Sequence, residues 1–332
     1  MSYCPAALLR IVRCLALLTS LTMAGAVGAQ EYPGKPIRIV VPFPAGGLVD
    51  TVTRHVSSKL PDALGTRGLN VIVDNRGGAG GTLGTAVAAT APPDGYTLLM
   101  VLDSHAVNPH IYKNLRFNIF NDFAPISIVA TSPLAIVTHP SVPASTLKQL
   151  IALARSKPGA LSYASPGAGS SGHLNAEHLK LLAGIDMVHV PYKGGAPAIA
   201  DLVGGQVHLS VIAASVPVPY VRTKKLRALA ITGKQRSGAL PDVPTAAEGG
   251  FPQLDTGAWV GLLAPAGTPP AIVSRLSSAV AAVLKEPDIR ATLAEQALDV
   301  VASTPAEFAK LIRAEHDKWG KLITEAKLNL AQ

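Results

Sequence analysis

Residues 37–50, Ile-Arg-Ile-Val-Val-Pro-Phe-Pro-Ala-Gly-Gly-Leu-Val-Asp, constrain the fold more tightly than any other part of the chain. Ile37 to Val41 is a β-branched run bounded by proline, the pattern of a buried strand. Past Gly46 and Gly47, Val49, Val52, Val56 and Leu60 recur at helical spacing. A strand therefore passes through a glycine turn straight into a helix. The first N–H groups of a helix have no internal partner and carry the positive end of its dipole. With glycines there, no side chain keeps a small anion from that backbone. The same turn also serves as a plain strand-to-helix connection in any α/β protein, so alone it assigns no function.

The ends of the chain bound where such a protein works. Arg10 and Arg13 precede an apolar stretch from Cys14 to Met23, and small residues follow, ending Val27-Gly28-Ala29. This is the layout of a secretory leader, cut after Ala29. Its apolar part is short of the ~20 residues that a spanning helix needs, and no later segment approaches that length. Cys14 follows Arg13 rather than a small residue, which argues against a lipid anchor. Both cysteines, Cys4 and Cys14, fall in the leader, so the mature chain has no disulfide, thiol nucleophile or cysteine metal site. It must hold together by its core, and it is long enough to do so as two domains. Removing the leader lowers the net charge of +8 by two. Only 15% of residues are charged and no basic run exceeds Lys224-Lys225, which argues against a nucleic-acid surface. The residual positive charge is a general attractant for anions.

Strand and helix patterns alternate along most of the chain, predicting an α/β protein with largely parallel sheets. Val71–Val73 leads into Gly77-Gly78-Ala79-Gly80-Gly81 and a helix around 82–90, and Tyr96–Leu102 is the next strand. The apolar stretch Ile126–Thr138, broken by Pro133, is long enough to cross between domains. Ser145 caps a helix that Pro158-Gly159 stops. A strand at 161–164, a Gly/Ser loop and a helix closed by Gly184 follow, then a strand at 187–190. Pro197 opens a further helix, and 207–212, 226–232 and 259–264 read as strands. The C-terminal part is mainly helical. There Thr304-Pro-Ala-Glu307 is a capping box, and Phe308, Leu311, Ile312, Trp319, Leu322 and Ile323 form one apolar face.

No catalytic constellation emerges. Gly167-Ala-Gly-Ser-Ser-Gly172 fits the dinucleotide pattern, but Asp186 begins the next strand where a ribose-binding acid would end it. His173 and His178 are five apart, as are His105 and His110, which on a helix sets the rings about 140° apart instead of aligning them on a metal. The spacing around Ser170 and Ser171 fails the serine-hydrolase elbow. What remains is two glycine-lined helix starts in two domains, each able to offer backbone donors to one carboxylate. A hydrogen bond to a charged group contributes about 1.5–3 kcal/mol. Four give roughly 6–12 kcal/mol gross against about 8 for a micromolar ligand. Desolvation on closure must supply the rest.

These residues together resemble the Bug-type extracytoplasmic solute receptors, the substrate-binding proteins of tripartite tricarboxylate transporters. The matching stretches are 32–47 with Asp50, Asn75–Gly81, His105–Asn108, Ser165–Ser170 with His173, Val190–Gly194, Leu240–Thr245 and Ala264–Pro269, in family order. The resemblance implies a type II periplasmic-binding-protein fold: two α/β domains joined by two crossing strands, the ligand buried between them. Domain 1 would comprise 30–130 plus 256–332 and domain 2 residues 131–255, after a leader at 1–29. The ligand pincer would fall on Phe43, Pro44, Ala45, Gly46 and Gly47 in one domain. In the other it would fall on Ser165, Gly167, Ala168, Gly169 and Ser170, partly through bound water. Asp50, Ser104, His105, His173, Tyr192, Lys193, Asp242 and Thr245 would complete the site. Asp50 also reads as a first-turn acid stabilising its own helix.

The chain departs from the family pattern after Gly205-Gln206-Val207, where members usually carry Phe-Asp and then Asn-x-Pro. Here Val211-Ile212-Ala213-Ala214-Ser215 makes that wall apolar, and Asp103 beside the pocket loop is a second departure. The expected ligand is therefore one carboxylate with an apolar or aromatic remainder rather than citrate. The expected protein is a periplasmic, monomeric receptor without metal or cofactor. It is not an enzyme, not membrane-embedded and not bound to nucleic acid, and it hands a small carboxylate to membrane permease subunits. Two alternatives stay open: an exported hydrolase using Ser170 and His173, and a sensor that signals the bound state.

Overall fold

The computed structural model describes residues 32–325; the expected leader and its cleavage site lie outside them. The chain divides into two units, 1–34 and 35–332, and the second contains every described helix and strand. It opens with β1 (Ile37–Val41), α1 (Leu48–Ala63), β2 (Val71–Asn75), a 3-10 turn at Ala79–Gly81, α2 (Thr82–Ala89), β3 (Thr97–Leu102) and α3 (Ser104–Ile111). The long β4 (Phe123–Thr138) leads to α4 (Leu147–Ser156), β5 (Ser162–Ser165), α5 (Ser171–Ala183), β6 (Val188–Pro191), α6 (Gly195–Val203), β7 (Leu209–Ala213), α7 (Val218–Arg222) and β8 (Arg227–Ile231). The chain returns through β9 (Gly257–Pro265), α8 (Pro270–Lys285), α9 (Pro287–Glu295), β10 (Asp299–Val300) and α10 (Pro305–Glu325).

The strand order is β2-β1-β3-β9-β4-β7-β5-β6, with β8 and β10 also pairing with β4. The expected parallel pairing holds at the outer strands, β2-β1-β3 on one side and β7-β5-β6 on the other. In the middle, β9 runs antiparallel to β3 and to β4, and β7 and β8 run antiparallel to β4. The sheets are therefore mixed, because β4, which serves both halves, and β9, its neighbour in the first, run against the strands beside them.

Pro133 does not break β4; it marks where the strand changes partners. Phe123 to Pro133 pair with β9, whereas Leu134 to Thr138 pair with β7 and Ala135 to Thr138 with β8. A proline cannot donate to a ladder, and here its carbonyl instead accepts from Ala214 N at 2.8 Å. Leu134 N next to it donates to Thr232 Oγ1 at 2.8 Å. Gly257 at the start of β9 allows the crossing to be tight, because a Cβ there would lie 2.6 Å from the Ser132 carbonyl oxygen.

Each half has its own core. Val40, Leu99, Val101, Phe117, Phe123, Trp259, Leu263, Phe308 and Ile312 fill the first. Ala135, Val137, Ala164, Ile199, Leu202, Ile212, Leu226 and Ile231 fill the second, joined by Ala297 from the turn after α9. A third cluster spans the two: Val107 and Ile111 of α3 and Trp319 of α10 pack on Ala168 and Leu174 beside α5. The halves are thus shut against each other over an apolar seam. The capping box at α10 forms as expected, Thr304 N donating to Glu307 Oε2 at 2.8 Å and Glu307 N to Thr304 Oγ1 at 3.2 Å. Its face buries Phe308, Ile312 and Trp319. Among the described residues no helix is long and apolar enough to cross a membrane.

Phe308 packs edge-on to Trp259 at 5.5 Å and fills the space over Gly261, where a Cβ would sit 2.1 Å from its ring. Phe308→Ala is expected to lower the unfolding free energy by about 3–5 kcal/mol, and Gly261→Ala to destabilise the wild type more than the Phe308→Ala background. Urea denaturation of the four proteins measures both effects; a loss below about 1 kcal/mol for Phe308→Ala would contradict this packing.

Candidate functional site

The first jaw is the turn between β1 and α1. β1 is buried, and its register against β2 and β3 fixes where Pro42 to Gly47 leave the sheet. Gly46 has a φ of +82°, which favours glycine because it has no Cβ. Asp50, one turn into α1, reaches back and holds this turn. Its Oδ2 accepts from Gly46 N at 2.9 Å and Arg54 Nε at 2.9 Å, and its Oδ1 from Asn75 Nδ2 at 3.0 Å. Asn75 Nδ2 also donates to the Phe43 carbonyl at 3.0 Å. Burial by itself would raise the Asp50 pKa, but the bonds from Arg54, Gly46 and Asn75 outweigh it and hold the carboxylate below its ordinary value. Asp50 thus acts on its own loop, as its first-turn position suggests.

The second jaw is the loop from Ser165 into α5. Ser170 caps the helix, accepting from His173 N at 3.3 Å and donating to the Gly167 carbonyl at 2.8 Å. Gly169 N donates to His173 Nδ1 at 3.1 Å, and Ser165 Oγ meets His189 Nε2 at 2.7 Å. The two imidazoles stack 3.8 Å apart at 10°. Burial pushes His173 down to about 4 and His189 down to about 3, so both are neutral supports of the loop. No hydrogen bond joins the Ser170 hydroxyl to the His173 ring; the serine meets that residue only at its backbone. The pair is therefore not arranged as a nucleophile and its base.

A third element completes the site. Tyr192 N donates to the Ser165 carbonyl at 3.0 Å, and its hydroxyl to Asp201 Oδ2 at 2.7 Å, which sets the turn into α6. Gly194 precedes α6 without a side-chain cap. The jaws meet here. A Cβ on Gly46 would lie 3.8 Å from Ala196 Cβ, and one on Gly194 would lie 2.9 Å from Pro44 Cδ. A Cβ on Gly167 would lie 3.9 Å from Gly80 Cα, and one on Gly169 would lie 2.1 Å from Ile111 Cδ1.

Between them lies a cavity of about 30 Å³. Phe43, Gly47, Leu48 and Val49 line it from the first jaw, Pro166, Ser171 and Gly172 from the second, and Gly195 from α6; Leu102, Ile212, Ala213, Val216 and Ala258 close the walls. Three helix N-termini, those of α1, α5 and α6, therefore converge on one small space. Among the described residues no acceptor takes the N–H of Leu48, Val49, Gly172 or Gly195. The N–H groups that sequence reasoning favoured, on Gly46 and Gly169, are instead held by Asp50 and His173. At α1 and α5 the open donors sit two or three residues further along, because loop glycines in tight turns are consumed in fixing the turn. The cavity has room for about two or three waters, since a water needs about 10–15 Å³; a larger guest requires the halves to part.

The other expected residues are dispersed. Ser104 Oγ donates to the Gly80 carbonyl at 3.4 Å. His105 is buried with its ring on Phe117 and edge-on to Phe123, and burial pushes it down to about 4. Ala45 and Lys193 are exposed, and Ala168 packs in the seam. Asp242 is exposed and Thr245 pairs with Glu248 through Glu248 N to Thr245 Oγ1 at 3.1 Å; neither lines the cavity. Sequence reasoning missed Gly195, although the Gly194-Gly195 pair before Pro197 carried the same signature as Gly46-Gly47. A groove of about 600 Å³ beside the crossing strands, lined in part by Thr131, Lys234 and Trp259, is larger but receives none of these three helix starts. Among the described residues no group of three or more His, Cys, Asp or Glu is placed to hold a metal.

The profile of the family described as "Tripartite tricarboxylate transporter family receptor" matches residues 52–328. The chain is 35% identical to the BugT protein of Bordetella pertussis over 93% of this chain and 94% of that one. Rpa4515 of R. palustris, solved with adipate, superposes with a TM-score of 0.87 at 32% identity, covering 91% of this chain and all of that one. MatC of Rhodopseudomonas palustris, solved with bound malate, gives 0.83 at 32% identity, covering 88% of this chain and all of that one.

The stacked imidazoles give the second jaw a pH signature. A histidine whose folded pKa is depressed contributes stability that is present above its unfolded value near 6.5 and lost as pH falls towards the folded value. Asp103, pushed up to about 7, acts in the opposite sense, so the informative quantity is a difference between proteins. His173→Asn keeps an acceptor for Gly169 N and cannot titrate. Unfolding free energy measured from pH 7 to 4 is expected to fall more steeply for wild type than for this variant; parallel curves would contradict the assignment.

Proposed function

This chain belongs to the tripartite tricarboxylate transporter receptor family, and on that premise we infer that it is a periplasmic receptor. It captures a small carboxylate between two α/β halves and delivers it to a membrane transporter. The observation that carries the reading is the convergence of three helix N-termini on one interlobe cavity, with the donors on Leu48, Val49, Gly172 and Gly195 unclaimed by the described residues. Such donors and their dipoles favour an anion. Leu102, Ile212, Ala213 and Val216 around them offer nothing to a second charged group, so the guest is a carboxylate with an apolar remainder. The solved relatives that carry adipate and malate, both dicarboxylates, support a carboxylate cargo, and the apolar wall sets this chain apart in the second group.

Closure is a hinge motion about β4 near Pro133 and the segment entering β9 at Gly257, selected by a ligand that touches both halves. Residues 30–130 with 256–332 move as one domain and 131–255 as the other. The leader at 1–29 directs export and is removed near Ala29, and the mature monomer meets the permease subunits of the transporter. It does no chemistry on its cargo: Ser170 and His173 are occupied in holding the loop. A bound carboxylate recovered intact after denaturation supports this role, whereas its conversion on incubation would make the protein an enzyme.

A panel of mono-, di- and tricarboxylates read by thermal shift tests the reading. A ligand at a hundred times its Kd stabilises by about 2.7 kcal/mol, and the largest shifts are expected for carboxylates with apolar frames. A preference for tricarboxylates would overturn it. Ala196→Leu, which enlarges the residue facing Gly46, is expected to hold the jaws apart and reduce those shifts at least tenfold in ligand concentration while leaving the ligand-free melting temperature near wild type.

A further inference from the structure

One carboxylate is already in place beside the cavity. Asp103 follows the last residue of β3 in the first half, and its Oδ1 accepts the first amide of α5, Ser171 N, at 3.1 Å in the second half. The residues flanking this bond, Leu102 and Ser171, both line the cavity. Asp103 is 2% exposed, and its other oxygen, Oδ2, is fully buried without a hydrogen-bond partner. An unmatched buried carboxylate oxygen is costly, because a carboxylate can accept at both oxygens. Among the described residues no lysine, arginine or histidine pairs with it.

We propose that Asp103 sets the charge and the polarity of the cargo: it fills the anion position at the α5 N-terminus itself, so the receptor takes a monocarboxylate whose far end presents a hydrogen-bond donor such as a hydroxyl, and rejects a second carboxylate. The cargo's own carboxylate is left to the uncapped starts of α1 and α6. A donor on its far end satisfies Oδ2, whereas a carboxylate there meets a like charge inside a water-poor wall. This deepens the proposed function and rests on it.

The same placement makes the selectivity titratable. Burial is the main cause that pushes Asp103 up, to about 7, against bonds from Ser171 and Ser104 that pull it down. From the neighbouring α10, Glu315 adds a like charge in the raising direction. Glu315 is itself held by Trp319 Nε1 at 2.7 Å and Lys318 at 3.7 Å. Below its pKa, Asp103 turns from an acceptor into a donor and tolerates a second carboxylate.

Isothermal titration of the full mature protein with hexanoate, ω-hydroxyhexanoate and adipate, which share one carbon frame, tests the proposal. At pH 8 the wild type is expected to bind ω-hydroxyhexanoate tightest and adipate at least tenfold more weakly. Adipate affinity should rise about tenfold from pH 8 to pH 6, as the neutral fraction of Asp103 rises by that factor. Asp103→Asn keeps an oxygen for Ser171 N and adds a donor; it should bind adipate at least as well as the hydroxy acid, with no pH dependence between 6 and 8. Equal affinities for adipate and ω-hydroxyhexanoate in the wild type, unaltered by pH, would overturn the role of Asp103 even if the variant failed to fold. Binding of none of the three acids would overturn the carboxylate reading and this inference with it.

Discussion

The proposed function depends on helix ends left electrostatically incomplete. Some helices of the chain carry side-chain caps: Thr146 accepts from Gln149 N at α4, Ser170 from His173 N at α5, and Thr304 and Glu307 close α10. The other two helix starts at the cavity have none. α1 and α6 begin at glycines with no side-chain cap, and three positive dipole ends point into a space with apolar walls. Like ends brought together repel, and a capped start would be more stable by about 1 kcal/mol each. On the proposed reading, an anion held between the two halves completes these starts.

The scaffold serves that convergence. β1 and β3 in one half and β5 and β7 in the other are buried strands whose C-terminal ends deliver the loops. β4 runs through both halves, with β9 beside it in the first, and changes partners at Pro133, a residue with no donor to lose. The seam of Val107, Ile111, Ala168, Leu174 and Trp319 gives the shut form its own apolar contact. Closure then needs only a modest contribution from the guest, which suits a receptor that must also release it.

Much of this was legible in residues. The strand-turn-helix at 37–60, the capping box at 304–307 and the apolar face of the last helix follow from period and end signals that act over a few residues. The crossing of β4 was visible only as length, because Pro133 reads locally as a break and its partners lie far along the chain. The mixed sheet was hidden for the same reason: direction of pairing is a property of the assembled fold. α3 carried no clear helical signal, since Ser104-His-Ala-Val-Asn-Pro-His has weak formers and an internal proline. At the site, the loops expected from sequence border the cavity, but two of the amides expected there are already bonded. Glycine marks where a backbone bends, and the bonds that fix the bend, Gly46 N to Asp50 and Gly169 N to His173, remove those donors from use.

Recognition therefore turns on which backbone N–H groups meet the guest. Amide proton and nitrogen shifts of the mature protein, followed by NMR during titration with a binding carboxylate, report this residue by residue. Leu48, Val49 and Gly195 are expected to move strongly downfield in the proton dimension as they gain a charged acceptor, while Gly46 and Gly169 keep their shifts. Large movements at Gly46 and Gly169 with none at the starts of α1 and α6 would contradict capture by the open helix ends.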